Sequence, residues 1–162
     1  MNTSREQEEN LSRVVSNYSK NMIRIAFTYV KNISDAEDIA QEVFLAFYTK
    51  RPKFVNGDHE KAWLIRVCVN KSKNLVKARW FKDRHPLLED LSYLPEEENE
   101  ALSAVLELEE KYRIPIHLHY YEGYSIKEIA GILRVKPATV GTWLSRGRSL
   151  LKEKLGGFGD DI

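Results

Sequence analysis

The strictest constraint on this chain is a period. Leu11, Val15, Tyr18, Met22, Ile25 and Tyr29 recur at spacings of 4, 3, 4, 3 and 4, a pattern that forms one stripe on an α-helix and none on a strand. After a break at Lys31-Asn32-Ile33, Ser34-Asp35-Ala36-Glu37 has the form of a capping box and starts a second helix. Its apolar face is Ala36, Ile39, Ala40, Val43, Phe44 and Phe47, which turns Asp35, Asp38, Gln41, Glu42 and Leu45 outward. Pro52 and Asn56-Gly57-Asp58 stop it. A third helix, about residues 60–80, packs through Trp63, Leu64, Val67, Cys68 and Leu75. Its other face carries Arg66, Asn70, Lys73 and Lys77 at spacings of 4, 3 and 4, with Lys71 and Asn74 beside them, a continuous stripe of cations and amides.

The second half repeats the helical habit in shorter pieces. Ala101 to Leu108 and Glu110 to Tyr121 read as two helices, with Pro115 a kink and Gly123 a C-terminal cap. Ser125-Ile126-Lys127-Glu128 is a second capping box, opening a short helix with Ile126, Ile129, Ala130 and Leu133 inward. The three-residue turn Arg134-Val135-Lys136 and an N-terminal Pro137 lead into a last helix whose core positions are Val140, Leu144, Gly147 and Leu151. A capped helix, a tight turn and a second helix make a helix-turn-helix. The second helix of such a unit enters the major groove. Its outward residues Thr139, Thr142, Ser145, Arg146 and Ser149 would meet base edges, with Lys136, Arg148 and Lys152 on flanking phosphates.

The net charge of +1 conceals strong segregation. Residues 1–49 carry 5 basic and 7 acidic side chains, and residues 50–84 carry 11 and 3. Residues 85–110 have 9 acids and no Lys or Arg, and residues 111–154 return to 9 basic against 3 acidic. One such block is ordinarily a solvated helix face. Two basic modules around an acidic connector are the pattern of two polyanion-binding surfaces. The expected architecture is therefore all-α: a helical domain at residues 1–84, an acidic linker at 85–100 and a helix-turn-helix domain at 101–162.

Other chemistry finds little support. Cys68 is the only cysteine and sits on an apolar face, so it reads as a packing thiol, compatible with a reducing compartment. His117 and His119 are two apart, on different sides of a helix, and have no partner cysteines, so no metal and no other cofactor is expected. Trp63 reads as core, and Trp143 as either core or a base-stacking ring. No apolar run reaches the roughly 18 residues of a membrane span, and the polar start is unlike a signal sequence, so a cytoplasmic protein without membrane insertion is expected.

Four stretches carry a family resemblance: Asp35-Ala36-Glu37-Asp38-Ile39-Ala40-Gln41-Glu42-Val43-Phe44; Ala62-Trp63-Leu64-Ile65-Arg66-Val67 with Asn70; Lys111-Tyr112-Arg113; and Tyr121-Glu122-Gly123-Tyr124-Ser125-Ile126-Lys127-Glu128-Ile129-Ala130. In order and spacing they resemble bacterial RNA polymerase sigma factors of the extracytoplasmic-function type, over about residues 10–155. The resemblance implies a promoter-specificity subunit without catalysis of its own. Asp35, Asp38, Gln41, Glu42 and Leu45 would dock on the polymerase. The loop from about Phe54 to Lys61 and the third helix would open the −10 region and hold a flipped base, with Arg66, Asn70, Lys71, Lys73, Asn74 and Lys77 on that DNA. Lys136, Thr139, Thr142, Ser145, Arg146, Arg148 and Ser149 would serve the −35 element. The implied partners are core polymerase, promoter DNA and an anti-sigma factor. Glu60, Gly141, Trp143, Lys136 and Pro115 depart from the family's usual residues. A freestanding helix-turn-helix regulator and a small nucleic-acid enzyme are the alternatives. The second lacks a carboxylate cluster or metal set.

Overall fold

In the computed structural model, which describes residues 3–81 and 96–156, every regular element is helical. The chain divides into two compact units, residues 1–87 and 88–162. The first unit is α1 (Thr3–Val30), α2 (Ile33–Lys50) and α3 (Gly57–Phe81), each packed on the other two. The second is α4 (Glu96–Leu106), α5 (Glu110–Ile116), a π-helical turn (His117–Tyr121), α6 (Ile126–Leu133) and α7 (Pro137–Leu155). Residues 85–95 of the acidic connector lie outside the described residues, and the part from Glu96 onward is already helical.

The N-terminal core joins Met22, Ile25, Ala26 and Phe27 of α1 to Ala36, Ile39, Ala40 and Val43 of α2 and to Leu64, Ile65, Cys68 and Val69 of α3. Each of the larger side chains contributes about 1.5–3 kcal/mol over exposure, which is what holds three amphipathic helices together. The Cys68 thiol lies 3.4 Å from the Met22 carbonyl oxygen it donates to, a buried packing group.

Several local expectations shift by a residue or two. The cap of α2 is Asn32, not Ser34: its extended backbone (φ −147°) lets Oδ1 accept the Asp35 N–H at 2.9 Å, and Ser34 falls inside the helix. Lys31, with φ 57°, makes the left-handed turn between α1 and α2. α3 starts at Gly57 because Asn56 Oδ1 accepts the His59 N–H at 2.9 Å and caps the helix early. Its inward face is Leu64, Ile65, Cys68, Val69 and Ser72, so Trp63, Val67 and Leu75 are only half-buried. On α1, Val14 is buried and Val15 is 37% exposed. Successive residues are about 100° apart on a helix, and the stripe holds from Met22 through Ile25 to Tyr29, all buried, while toward the N-terminus the buried face passes to Val14.

In the C-terminal unit the Ser125–Glu128 capping box forms in full, with bonds of 3.0 and 3.1 Å. Ile126, at the first turn, is 39% exposed rather than inward, because α6 faces the core through Ile129, Ala130 and Ile132. Pro115 does not break its helix. The chain continues past it, with the His117 N–H on Arg113 O, and then enters the π turn, where the Glu122 N–H donates to His117 O at 3.1 Å. Gly123 then takes φ +78° and lets the Tyr124 N–H reach Leu118 O at 2.9 Å. Gly147 is where α7 meets α5: a Cβ there would lie 2.9 Å from Ile116 Cγ1.

Candidate functional site

Three surfaces bring together chemistry-bearing residues. The first is the outward face of α2 and the groove it makes with α1. Asp38, Gln41, Glu42 and Leu45 are exposed, Leu45 at 61%. Asp35, expected among them, is half-buried and ion-paired with Arg79 of α3. That pair ties α3 to the start of α2 and removes Asp35 from the free acidic face. Beside Gln41 and Leu45 runs a mainly apolar groove of about 480 Å³ whose walls include Val15 and Ile23 of α1 and Phe44 and Tyr48 of α2. The exposed Val15 belongs to it. An apolar groove rimmed by acids has a composition suited to docking another protein. Sequence periodicity missed the groove because it assigned Val15 to the core.

The second surface is α3 with the loop before it. Asn70, Lys73, Asn74 and Lys77 are all exposed along one face. Lys71 and Arg66 are half-buried at its edges, so the helix presents amides and ammonium groups in the centre and long basic stems at the margins. At its N-terminal end lies an aromatic cluster. Phe54 stacks on Phe47 with ring centroids 6.4 Å apart at 10°, and both meet the edge of Trp63 at 6.4 and 6.0 Å. His59 closes on Phe54 at 5.2 Å, while its Nδ1 accepts the Val55 N–H at 3.2 Å. Accepting at Nδ1 leaves the proton of a neutral ring on Nε2. Val55, at the loop tip, is 88% exposed.

The loop is anchored by an ion pair that the sequence does not announce. Arg13 of α1 donates from both terminal guanidinium nitrogens to the two Glu60 carboxylate oxygens, at 2.9 and 2.8 Å. Glu60 is buried, in the first turn of α3, and 47 residues from its partner. The hydrogen bond to Glu60 raises the Arg13 pKa above its ordinary value, and burial with Glu60 nearby raises that of Tyr18.

The third surface is α7. Lys136, Thr142, Ser145, Arg146 and Ser149 are exposed, whereas Thr139 is half-buried. Thr142 spends its hydroxyl proton on the Ala138 carbonyl at 3.1 Å, which leaves its oxygen free only to accept. Arg148, expected to hold phosphate freely, donates to the Tyr120 hydroxyl at 2.8 Å and is half-buried. The tether pre-sets the guanidinium against the edge of the π turn. Trp143 is half-buried. The two histidines are occupied in packing the turn: His117 Nε2 lies 3.1 Å from Glu122 Oε2, and His119 Nδ1 lies 2.7 Å from Tyr124 O. Among the described residues no group of three His, Cys, Asp or Glu could hold a metal ion, and no helix is long and apolar enough to cross a membrane.

Two family models match successive parts of the chain. Residues 14–82 match the family "Sigma-70 region 2", and residues 98–151 match "Sigma-70, region 4". The ECF RNA polymerase sigma factor SigW of Bacillus subtilis is 27% identical over 162 aligned residues, covering 88% of this chain and 87% of that protein. Among solved structures, the sigma factor RpoE of Bartonella quintana, in complex with the anti-sigma factor NepR, superposes with a TM-score of 0.73 at 21% identity, covering 91% of this chain and 97% of that one. CnrH, in complex with the cytosolic domain of CnrY, gives a TM-score of 0.71 at 22% identity, covering 93% and 90%. These two likenesses concern the fold. With both sigma regions present in order, and relatives of this type spanning nearly the whole chain, the protein belongs to the extracytoplasmic-function sigma factors of bacterial RNA polymerase.

Proposed function

We propose that this chain is a dissociable promoter-specificity subunit that binds core RNA polymerase, recognises the −10 and −35 elements and helps to melt the DNA. The observation that carries the reading is that each unit presents one exposed helix face of nucleic-acid chemistry, α3 and α7, while α2 presents an acidic and apolar face of a different kind. Asp38, Gln41, Glu42 and Leu45, with the adjoining groove, dock on the polymerase. Asn70, Lys73, Asn74 and Lys77 hold the −10 strand, with Arg66 and Lys71 at the margins and the Phe54 loop capturing an unstacked base. Thr142, Ser145, Arg146 and Ser149 face the −35 major groove, about 12 Å wide, with Lys136 and Arg148 on phosphates. Thr139 packs at the groove edge, and Asp35 positions α3 through Arg79. The chain acts in the cytoplasm with the polymerase and contributes no catalytic step of its own. An anti-sigma protein that covers the α1–α2 groove would compete with polymerase, a partnership supported by the complexes of its structural neighbours.

The test is assembly. Asp38→Arg combined with Glu42→Arg should leave the helical circular dichroism intact, since both sites are exposed, and weaken core binding at least about tenfold by placing like charges at the interface. Unchanged affinity for core polymerase overturns the docking face. Tight, promoter-selective binding by the isolated chain would instead identify a freestanding regulator.

A further inference from the structure

Each histidine of the π turn packs against a tyrosine that faces solvent. His117 stacks on Tyr121 with ring centroids 5.4 Å apart at 15°, and His119 meets Tyr120 edge-on at 4.7 Å and 83°. His119 is itself pinned. Its Nδ1 lies 2.7 Å from the Tyr124 carbonyl oxygen, which can only accept, so Nδ1 carries the proton. Tyr120 nevertheless remains 41% exposed, a ring whose direction is fixed by packing while its hydroxyl stays in water.

That hydroxyl accepts a hydrogen bond from Arg148 Nη1 at 2.8 Å, from a residue 28 positions along the chain on α7. Accepting leaves the tyrosine its own O–H proton to donate, and the arginine keeps most of its N–H donors. The tyrosine oxygen is neutral, so it does not cancel the guanidinium charge. The residues three and four positions from Arg148 on α7 are Leu144, Ser145, Leu151 and Lys152, none of them acidic. On the turn, Glu122 is committed to His117 with 1% of its side chain exposed, and at the start of α6 Glu128 closes the capping box. Two adjacent outward donors, one charged and one neutral, match the two non-bridging oxygens of a phosphodiester. Their place on α7 says which kind of phosphate. Arg148 follows Ser145 by three residues and precedes Lys152 by four, which puts it on one flank of the exposed face of Thr142, Ser145 and Ser149. A side chain on the flank of a helix lying in the major groove meets the backbone bordering the groove rather than a base edge.

We propose that Tyr120 and Arg148 form a two-point clamp on one phosphate bordering the −35 element, in which the π turn contributes a donor of its own and presets the arginine. The inference rests on the proposed placement of α7 in the −35 groove. It adds to that placement a DNA contact from Tyr120, which lies outside both helices of the helix-turn-helix. Tethered before binding, the guanidinium loses fewer rotamers when it meets the phosphate.

Holoenzyme binding to promoter DNA in which single phosphates of the −35 segment are replaced in turn by uncharged methylphosphonates tests the clamp. One position should cost about tenfold with the native protein, about threefold with Tyr120→Phe and at most about twofold with Arg148→Ala, because the group and its partner are then removed together. On unmodified DNA, Tyr120→Phe should weaken binding about threefold, the worth of one hydrogen bond. Tyr120→Phe deletes one exposed oxygen and keeps the ring against His119, so thermal melting of the free chain stays where it was. Arg146→Ala is the reference and should leave the loss at that position at about tenfold. If only one of Tyr120 and Arg148 couples to a phosphate, their hydrogen bond is merely a stitch between the turn and α7, and the clamp falls. If neither couples while Arg146→Ala still lowers promoter binding, the clamp falls and the −35 reading stands. If no −35 phosphate matters and Arg146→Ala changes nothing, that reading falls with it.

Discussion

The Arg13–Glu60 pair is unequal, because losing its exposed member costs more than losing its buried one. Glu60 keeps 9% of its side-chain surface and Arg13 keeps 47%, so removing the arginine strands a carboxylate where water reaches it poorly. Arg13→Ala should therefore cost about 2 kcal/mol, with the N-terminal unit melting earlier in denaturant. Glu60→Leu should be nearly neutral, since the arginine left behind is half in solvent and an apolar side chain suits the buried position. Equal losses for the two variants would mean that the pair acts by attraction alone. No local signal reveals this contact. Glu60 looks like any first-turn acid favoured by a helix N-terminus, and its partner lies on another helix.

At the scale of elements, α7 is set by its contact with α5. Gly147 is buried, and an added Cβ would lie 2.9 and 3.1 Å from the Ile116 Cγ1 and Cδ1 and 3.6 Å from the Tyr112 Cβ. Ile116 is 1% exposed and has little room to yield. Alanine in a helix gains about 1 kcal/mol over glycine, and overpacking costs about 1–3 kcal/mol. Gly147→Ala should thus lower stability by about 1 kcal/mol in chemical denaturation, and Ile116→Val in the same chain should recover much of it. The 4, 3, 4 period identified Gly147 as a core position from the residues alone. That the position must be glycine depends on how closely α5 approaches, which no spacing encodes. The Ser125–Glu128 box was legible because both bonds lie within four residues. The true cap of α2 was missed because Asn32 and Ser34 are both competent caps, and the choice follows from the left-handed turn at Lys31.

For the whole molecule, two basic faces on separate units imply two separable contributions to promoter binding. Lys73→Ala or Lys77→Ala, on the exposed stripe of α3, should weaken holoenzyme binding on all promoters alike and flatten the salt slope by about one unit each. Arg146→Ala should cost about 1–3 kcal/mol and relax preference at one −35 position while the −10 preference stays. A uniform loss across −35 variants would make Arg146 a phosphate clamp and shift the reading to Thr142, Ser145 and Ser149. The all-α class, the helix-turn-helix, the segregation of charge and the exposed positions Asn70, Lys73, Asn74 and Lys77 of α3 and Thr142, Ser145, Arg146 and Ser149 of α7 were determined by the sequence itself. Helical period, caps and charge are properties of neighbouring residues and survive without knowledge of the fold. Tertiary structure decided what depends on a second helix: that Val15 lines a groove and Val14 fills the core, that Asp35 is held by Arg79, and that Arg148 is tied to Tyr120. A step of one residue turns a side chain by about 100°, so a period fixes the stripe only to the nearest residue, and the packed neighbour fixes the rest.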